Sequence, residues 1–126
     1  MMMTLEIPHA QWRTFFDRTT RLHVDEPIRL EILRLDLGAQ LAIDGLPLVG
    51  ITVNGDGEDE WIEVAAGSAP DAHVSHRVAH PLRVHVLRRL AEDDDVLEIH
   101  SADRATTLLH FDAPACWAES HGKEQP

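Results

Sequence analysis

Apolar residues change their spacing once along this 126-residue chain, and that change limits the folds it can adopt. From about Pro8 to Leu22 they recur every three or four positions, which predicts a helix with one apolar stripe. The stripe consists of Trp12, Phe15, Phe16 and Thr19. From Ile28 onward they alternate with polar residues between turn signals, which is the pattern of half-buried strands. The helical stripe must pack against something, and the predicted strands supply a sheet.

The connections between the predicted strands are short, and short turns between successive strands imply antiparallel pairing. We therefore predict an α+β fold, in which the N-terminal helix packs on a mainly antiparallel sheet of about seven or eight strands. The arrangement is a roll or a small, partly open barrel. The length fits a single domain over residues 1–126, with an ordered core of about 5–112 and a polar C-terminal tail at 113–126.

The sequence predicts the pairing register of the last hairpin. A three-residue loop at Asp103–Ala105 places four apolar residues on one face of the sheet. The expected pairs are Ile99 with Leu109 and Leu97 with Phe111. On the other face, the same register sets Glu98 opposite His110 as a cross-strand ion pair.

The chain is acidic, with a net charge of −11 when histidine is counted as neutral. This charge argues against binding to nucleic acid or to anionic membranes, because both attract cations. It favours solubility and a monomeric or small homo-oligomeric state. No stretch approaches the ~20 apolar residues of a membrane helix, and the first residues do not resemble a signal peptide. The expected compartment is therefore the cytoplasm, and Cys116 as the single cysteine suits such a reducing environment.

Several short phrases of the sequence occur in a distinctive order. They are Leu5–Pro8 with Trp12 and Phe16, Gly38–Gln40, Leu46–Ile51, Pro81–Val84, Leu97–Ile99 with Ser101–Asp103, and Thr106–Leu109. In this order they resemble a small bacterial family known as domain of unknown function 5335, over about residues 5–112. The resemblance implies an uncharacterised bacterial protein. It brings no known activity, cofactor or catalytic residue.

Histidine is unusually frequent, with nine residues in the chain, and four of them stand close together. These are His73, His76, His80 and His85. On a strand, His73 and His76 point to opposite faces, whereas His76 and His80 share a face but stand ~13 Å apart. No cysteine or carboxylate within this segment completes a ligand set. We therefore predict ordinary hydrogen-bonded histidines, no metal site and no cofactor.

The same part of the chain is its one basic stretch, since residues 72–91 contain no carboxylate. If Val78, Val84 and Val86 face the core, the neighbouring charged side chains point outward. These candidate contact residues are Arg77, Arg83, His85 and Arg89. Such a face suits an anion: a phosphate, a carboxylate ligand or an acidic partner segment. The alternative is internal neutralisation by the acidic run at 92–95.

Neither calcium nor catalytic motifs are recognisable. The acidic segment 54–60 has Asp59 where a calcium loop needs glycine at its sixth position, so it predicts a hairpin tip. No nucleophile elbow, phosphate-binding loop or zinc-protease motif is present.

The sequence thus favours a non-enzymatic small binding or protein-interaction module, whose partner is an unknown protein or a small anionic ligand. Two alternatives stay open. One is a small metal- or histidine-dependent enzyme, and the other is weak nucleic-acid binding through the basic strip at 74–89.

Overall fold

The computed structural model describes residues 2–68, 72–89 and 95–111. The predicted tail at 113–126, with Cys116, lies outside the described residues. The elements are β1 (Met2–Ile7), a 3-10 turn (His9–Gln11), α1 (Trp12–His23), β2 (Pro27–Arg34), β3 (Gly38–Asn54), a second 3-10 turn (Gly57–Asp59), β4 (Trp61–Ala66), β5 (Val74–Ala79), β6 (Pro81–Arg89), β7 (Asp95–Ser101) and β8 (Thr106–Phe111). Within the described residues, α1 is too short and too polar to cross a bilayer, and the structure offers no other helix that could.

Every pairing in the sheet is antiparallel, and the strand order is β1-β6-β7-β8-β2-β3-β4-β5. The sheet does not close into a barrel, because β1 and β5 each pair on one side. The predicted α+β class, with its N-terminal helix and antiparallel sheet, is therefore confirmed, and the sheet takes the open form.

Strand β3 is 17 residues long and links two parts of the sheet. It pairs with β2 as far as Pro47 and with β4 from Leu48 onward. Buried apolar side chains from both parts belong to one core cluster, and Trp12 and Phe16 of α1 complete it. The predicted stripe is confirmed, since Trp12, Phe16 and Thr19 are buried and Phe15 is half-buried.

Helix α1 covers an edge of β3 that has no strand beside it. The Thr20 hydroxyl accepts a hydrogen bond from the Ile51 N–H at 3.0 Å and donates to the Ile51 carbonyl at 3.4 Å. The Arg13 guanidinium donates to the carbonyls of Val53, at 2.7 Å, and Gly55, at 3.0 Å. Side chains of the helix thus satisfy main-chain groups that a neighbouring strand would otherwise pair.

Replacing Thr20 with valine tests this edge. We expect Thr20→Val to lower the free energy of unfolding by about 1–2 kcal/mol, because the Ile51 N–H and carbonyl lose their partner. Urea unfolding followed by circular dichroism measures the change. The matched control is Thr14→Val, an exposed position of the same helix that carries the same propensity cost. Equal destabilisation by both substitutions would show that the hydroxyl does not stabilise the edge.

The β7–β8 hairpin differs from the predicted register by one residue on each strand. Its loop is Ala102–Arg104, not Asp103–Ala105, because Ser101 and Ala105 are joined by a main-chain hydrogen bond. Arg104 has a φ of 71°, the left-handed conformation expected at the third position of such a loop. The Asp103 carboxylate accepts the Ala105 N–H at 3.0 Å. This bond, with Arg34 nearby, lowers the pKa of the Asp103 carboxyl.

The shift changes the predicted pairs. Leu97 lies opposite Leu109 and Ile99 opposite Thr107, although the four predicted apolar residues are all buried on one face. The predicted ion pair between Glu98 and His110 is wrong, because Glu98 lies opposite Leu108. His110 instead contacts the Glu31 carboxylate of β2 at 2.9 Å.

Candidate metal site

The part of the sheet formed by β1, β6, β7, β8 and β2 has a face directed away from the core, which we name the outer face. Side chains alternate along a strand, so burial of Val84 and Val86 directs His85 to the outer face. Burial of Leu97 and Ile99 does the same for the polar residues of β7. The ionisable residues of the outer face include Glu6, Arg29, Glu31, Arg83, His85, Glu98, His100 and His110.

Three of these residues converge where β6 and β7 pair. His85 lies directly opposite Glu98, and His100 follows Glu98 by two residues on the same face. Glu98 Oε1 lies 3.5 Å from His85 Nδ1 and 3.0 Å from His100 Nε2. One ligand atom from each of the three residues lies within 4.8 Å of the other two, and among the described residues this is the cluster with the spacing of a metal site.

The cluster is half-buried. Its side chains are 17% exposed at His85, 24% at Glu98 and 38% at His100. His85 Nδ1 is itself buried and has no hydrogen-bond partner among the described residues, since 3.5 Å to Glu98 exceeds a normal N–H···O distance. Buried polar atoms normally have a partner, and a cation shared with Glu98 and His100 would supply one to His85 Nδ1.

The second nitrogen of each imidazole also faces a polar group. His85 Nε2 lies 3.8 Å from Glu6 Oε1, and His100 Nδ1 lies 3.4 Å from the Thr106 hydroxyl. Metal-binding histidines usually direct their other ring nitrogen to a carboxylate, carbonyl or water, which sets the tautomer and the ring orientation. Glu6 and Thr106 occupy such positions around the cluster.

The residue types and spacing fit a transition-metal ion of the Zn²⁺ kind. Ligand atoms bound tetrahedrally to zinc lie about 3.3–3.6 Å from one another, which matches the 3.5 Å between Glu98 Oε1 and His85 Nδ1. The 3.0 Å between Glu98 Oε1 and His100 Nε2 is shorter and is the length of a hydrogen bond. Two imidazoles and one carboxylate supply three ligands and leave a fourth position for an exogenous group. Calcium and magnesium prefer sets composed of oxygen atoms, so the two histidines disfavour them.

The predicted contact residues separate into two regions. Arg83 and His85 lie together on the outer face of β6, and Arg83 is exposed. Arg77 lies on β5, at the far edge of the sheet, where its guanidinium stacks 4.3 Å from the Trp61 ring. Arg89 pairs with Met2 through the main chain, and its side chain lies outside the described part of the structure.

The surroundings of these residues are not uniformly basic. His85 lies between the carboxylates of Glu6 and Glu98. Arg77 lies opposite Glu63, whose pKa is lowered mainly by a hydrogen bond from the Ser75 hydroxyl.

The remaining histidines of the predicted cluster have separate surroundings. His76 is half-buried, and burial, with Arg34 nearby, lowers the pKa of its imidazole. His80 has a φ of 50° at the corner between β5 and β6, where its carbonyl accepts the Ala102 N–H.

The acidic segment 54–60 is contacted by a histidine from the N-terminal part of the chain. His9 Nε2 lies 2.9 and 3.0 Å from the two oxygens of the Glu60 carboxylate.

The cluster was not predicted from the sequence, because the residues that approach His85 lie on a different strand, β7. The signal was Glu98 and His100, which share a face on a predicted strand. Their approach to His85 depends on the register of β6 with β7, and the turn signals did not define that register.

The fold and the cluster define an α+β domain with one N-terminal helix, an open antiparallel sheet and a group of two histidines and a glutamate on its outer face. The model of the Family of unknown function (DUF5335) matches residues 3–119, so the chain belongs to this family, as the resemblance implied. An uncharacterized protein of the bacterium Aquifex aeolicus (strain VF5) is 26% identical over 106 residues, which cover 84% of this chain and 87% of the relative. No solved structure matches the chain.

Proposed function

We propose that this chain is a non-enzymatic binding module whose ligand is a divalent transition-metal ion. The ion is held on the outer face by His85 Nδ1, Glu98 Oε1 and His100 Nε2. The observation that carries the proposal is the convergence of ligand atoms from these three residues within 4.8 Å, where His85 Nδ1 is buried without a hydrogen-bond partner among the described residues.

The electrostatics of the site suit a cation. Glu98 supplies one negative charge directly, and Glu6 adds a second beside His85. Neutral imidazoles are the form that binds metal, so the ion competes with protons for the same nitrogens. The net charge of −11 also favours the approach of cations over anions at long range.

Two features support binding rather than catalysis. The sequence has no recognisable nucleophile–base or phosphate-binding motif. Two cavities lined by described residues, of about 400 and about 120 Å³, lie against α1. The side chains of the cluster are 17–38% exposed on the outer face, which gives an ion access to them.

Titration of the purified chain with Zn²⁺ tests the proposal, and the chain must carry no histidine tag. Isothermal calorimetry is expected to show one equivalent of bound Zn²⁺. The Glu98→Gln substitution should weaken that binding by at least about 100-fold, because a ligand is expected to matter more than the groups that orient it.

The matched control is Glu31→Gln, which removes an outer-face carboxylate that contacts His110 and lies outside the cluster. It should leave Zn²⁺ affinity within about twofold. Absence of saturable Zn²⁺ binding by the unmodified chain would end the proposal. Equal losses in the two variants would show that overall charge, rather than ligation by Glu98, attracts the ion.

The proposal includes a cytoplasmic, bacterial setting and a single-domain organisation over residues 1–126. The single cysteine and the bacterial relative support the setting. The one core cluster shared by α1 and both parts of the sheet supports the single domain. A monomer or a small homo-oligomer suits the high net charge.

A further inference from the structure

We infer that the bound metal ion keeps one coordination position open and that Arg83 directs a small oxyanion, a carboxylate or phosphate group, into that position. The inference rests on the proposed metal site and states which class of ligand completes the coordination of the ion. It assigns Arg83 a role that differs from metal ligation.

The position of Arg83 is the first observation. Arg83 lies directly opposite His100 and two residues from His85, on the same outer face. Cross-strand neighbours have Cβ atoms about 4.5–5.5 Å apart, so a side chain as long as arginine is long enough to reach beyond the imidazole of His100. A guanidinium stays protonated and has no acceptor atom, so it does not ligate the metal, but it can donate hydrogen bonds to an anion that does.

The second observation is a shift of register beside Arg83. Pro81 lies opposite Ser101 and Arg83 opposite His100, so Leu82 is the extra residue of a bulge. Bulges redirect side chains and are frequent beside functional sites. Leu82 is 62% exposed and Arg83 is also exposed, so the bulge presents both to solvent at the border of the cluster.

The third observation is that Arg83 has no acidic partner among the described residues. Arg21 pairs with Asp17, Arg34 pairs with Asp103, and Arg13 donates to main-chain carbonyls of β3. Among the described residues Arg18, Arg29 and Arg104 also lack an acidic partner, but Arg83 is the one that lies opposite a histidine of the cluster. An exposed guanidinium without a carboxylate, next to two histidines, is available to an external anion.

The charges are consistent with a ternary complex. A divalent ion bound by two neutral imidazoles and the Glu98 carboxylate has a net charge of +1, which Glu6 beside His85 offsets, and Arg83 restores a net charge of +1. Without the ion, Glu98 and Glu6 repel an anion at the same place. Anion binding is therefore expected to require the metal.

The experiment uses the full chain loaded with Co²⁺, whose visible absorption reports its coordination. Sodium acetate and sodium phosphate are titrated separately at constant ionic strength. The expected result is a saturable spectral change with either anion. Arg83→Gln should weaken anion binding by about tenfold, because a charge-assisted hydrogen bond is lost, and should leave Co²⁺ affinity unreduced.

The control is Arg29→Gln, an exposed arginine of the outer face that lies opposite His110 rather than at the cluster. It should bind both metal and anion like the unmodified chain. If Co²⁺ binds but neither anion alters the spectrum, or if Arg83→Gln behaves like Arg29→Gln, this inference is overturned while the metal site stands. If Co²⁺ itself does not bind, both proposals fail.

Discussion

Replacing both His85 and His100 with glutamine is expected to abolish the stabilisation of the folded chain by Zn²⁺. A ligand that binds the folded state alone, at 100 times its dissociation constant, raises the free energy of unfolding by about 2.7 kcal/mol. For a chain of this size, that corresponds to roughly 10 °C in the melting temperature. The double variant retains one ligand of three, the Glu98 carboxylate, and should gain nothing measurable at the same Zn²⁺ concentration.

The readout is a pair of thermal unfolding curves for each protein, with Zn²⁺ and with a chelator. His110→Gln is the matched control, because His110 lies on the same outer face and pairs with Glu31 outside the cluster. Its stabilisation by Zn²⁺ should equal that of the unmodified chain. A double variant that gains as much as the control would show that Zn²⁺ binds at another place.

Replacing Phe16 with alanine is expected to lower the free energy of unfolding by about 3–5 kcal/mol. Phe16 is 1% exposed and belongs to the core cluster that joins α1 to both parts of the sheet. Its ring also contacts Phe15 edge-on, with centroids 5.2 Å apart. The substitution opens a cavity under α1, the helix that covers the free edge of β3.

Urea unfolding measures this loss, with Leu22→Ala as the control. Leu22 lies on the same helix but is 67% exposed, so its truncation should change stability by less than about 0.5 kcal/mol. If Phe16→Ala does not fold, Phe16→Leu should give a smaller, measurable loss. Similar values for Phe16→Leu and Leu22→Ala would contradict the packing described for α1.

The sequence predicted those parts of the fold that depend on local spacing. The stripe from Trp12 to Thr19 identified the buried face of α1, and alternation around Val84 and Val86 identified His85 and Arg83 as outward residues. Both predictions need only the geometry of one element, because the period of the apolar residues determines which side chains share a face.

The sequence did not predict which residues of neighbouring strands lie opposite one another. Alternation tells which face a residue occupies but not which residue stands opposite, and a different turn shifts every partner. The loop at Ala102–Arg104 displaced the predicted hairpin register by one residue on each strand. For the same reason, the approach of His85 to Glu98 could not be derived from either strand alone.

The packing of α1 on β3 protects a strand edge from pairing with other molecules. Thr20 and Arg13 hold main-chain groups of Ile51 and Val53 that would otherwise be a free strand edge. If the helix detaches while the sheet persists, those groups become a template for pairing with another molecule. Protection of this part of β3 from intermolecular pairing therefore depends on the attachment of one short helix.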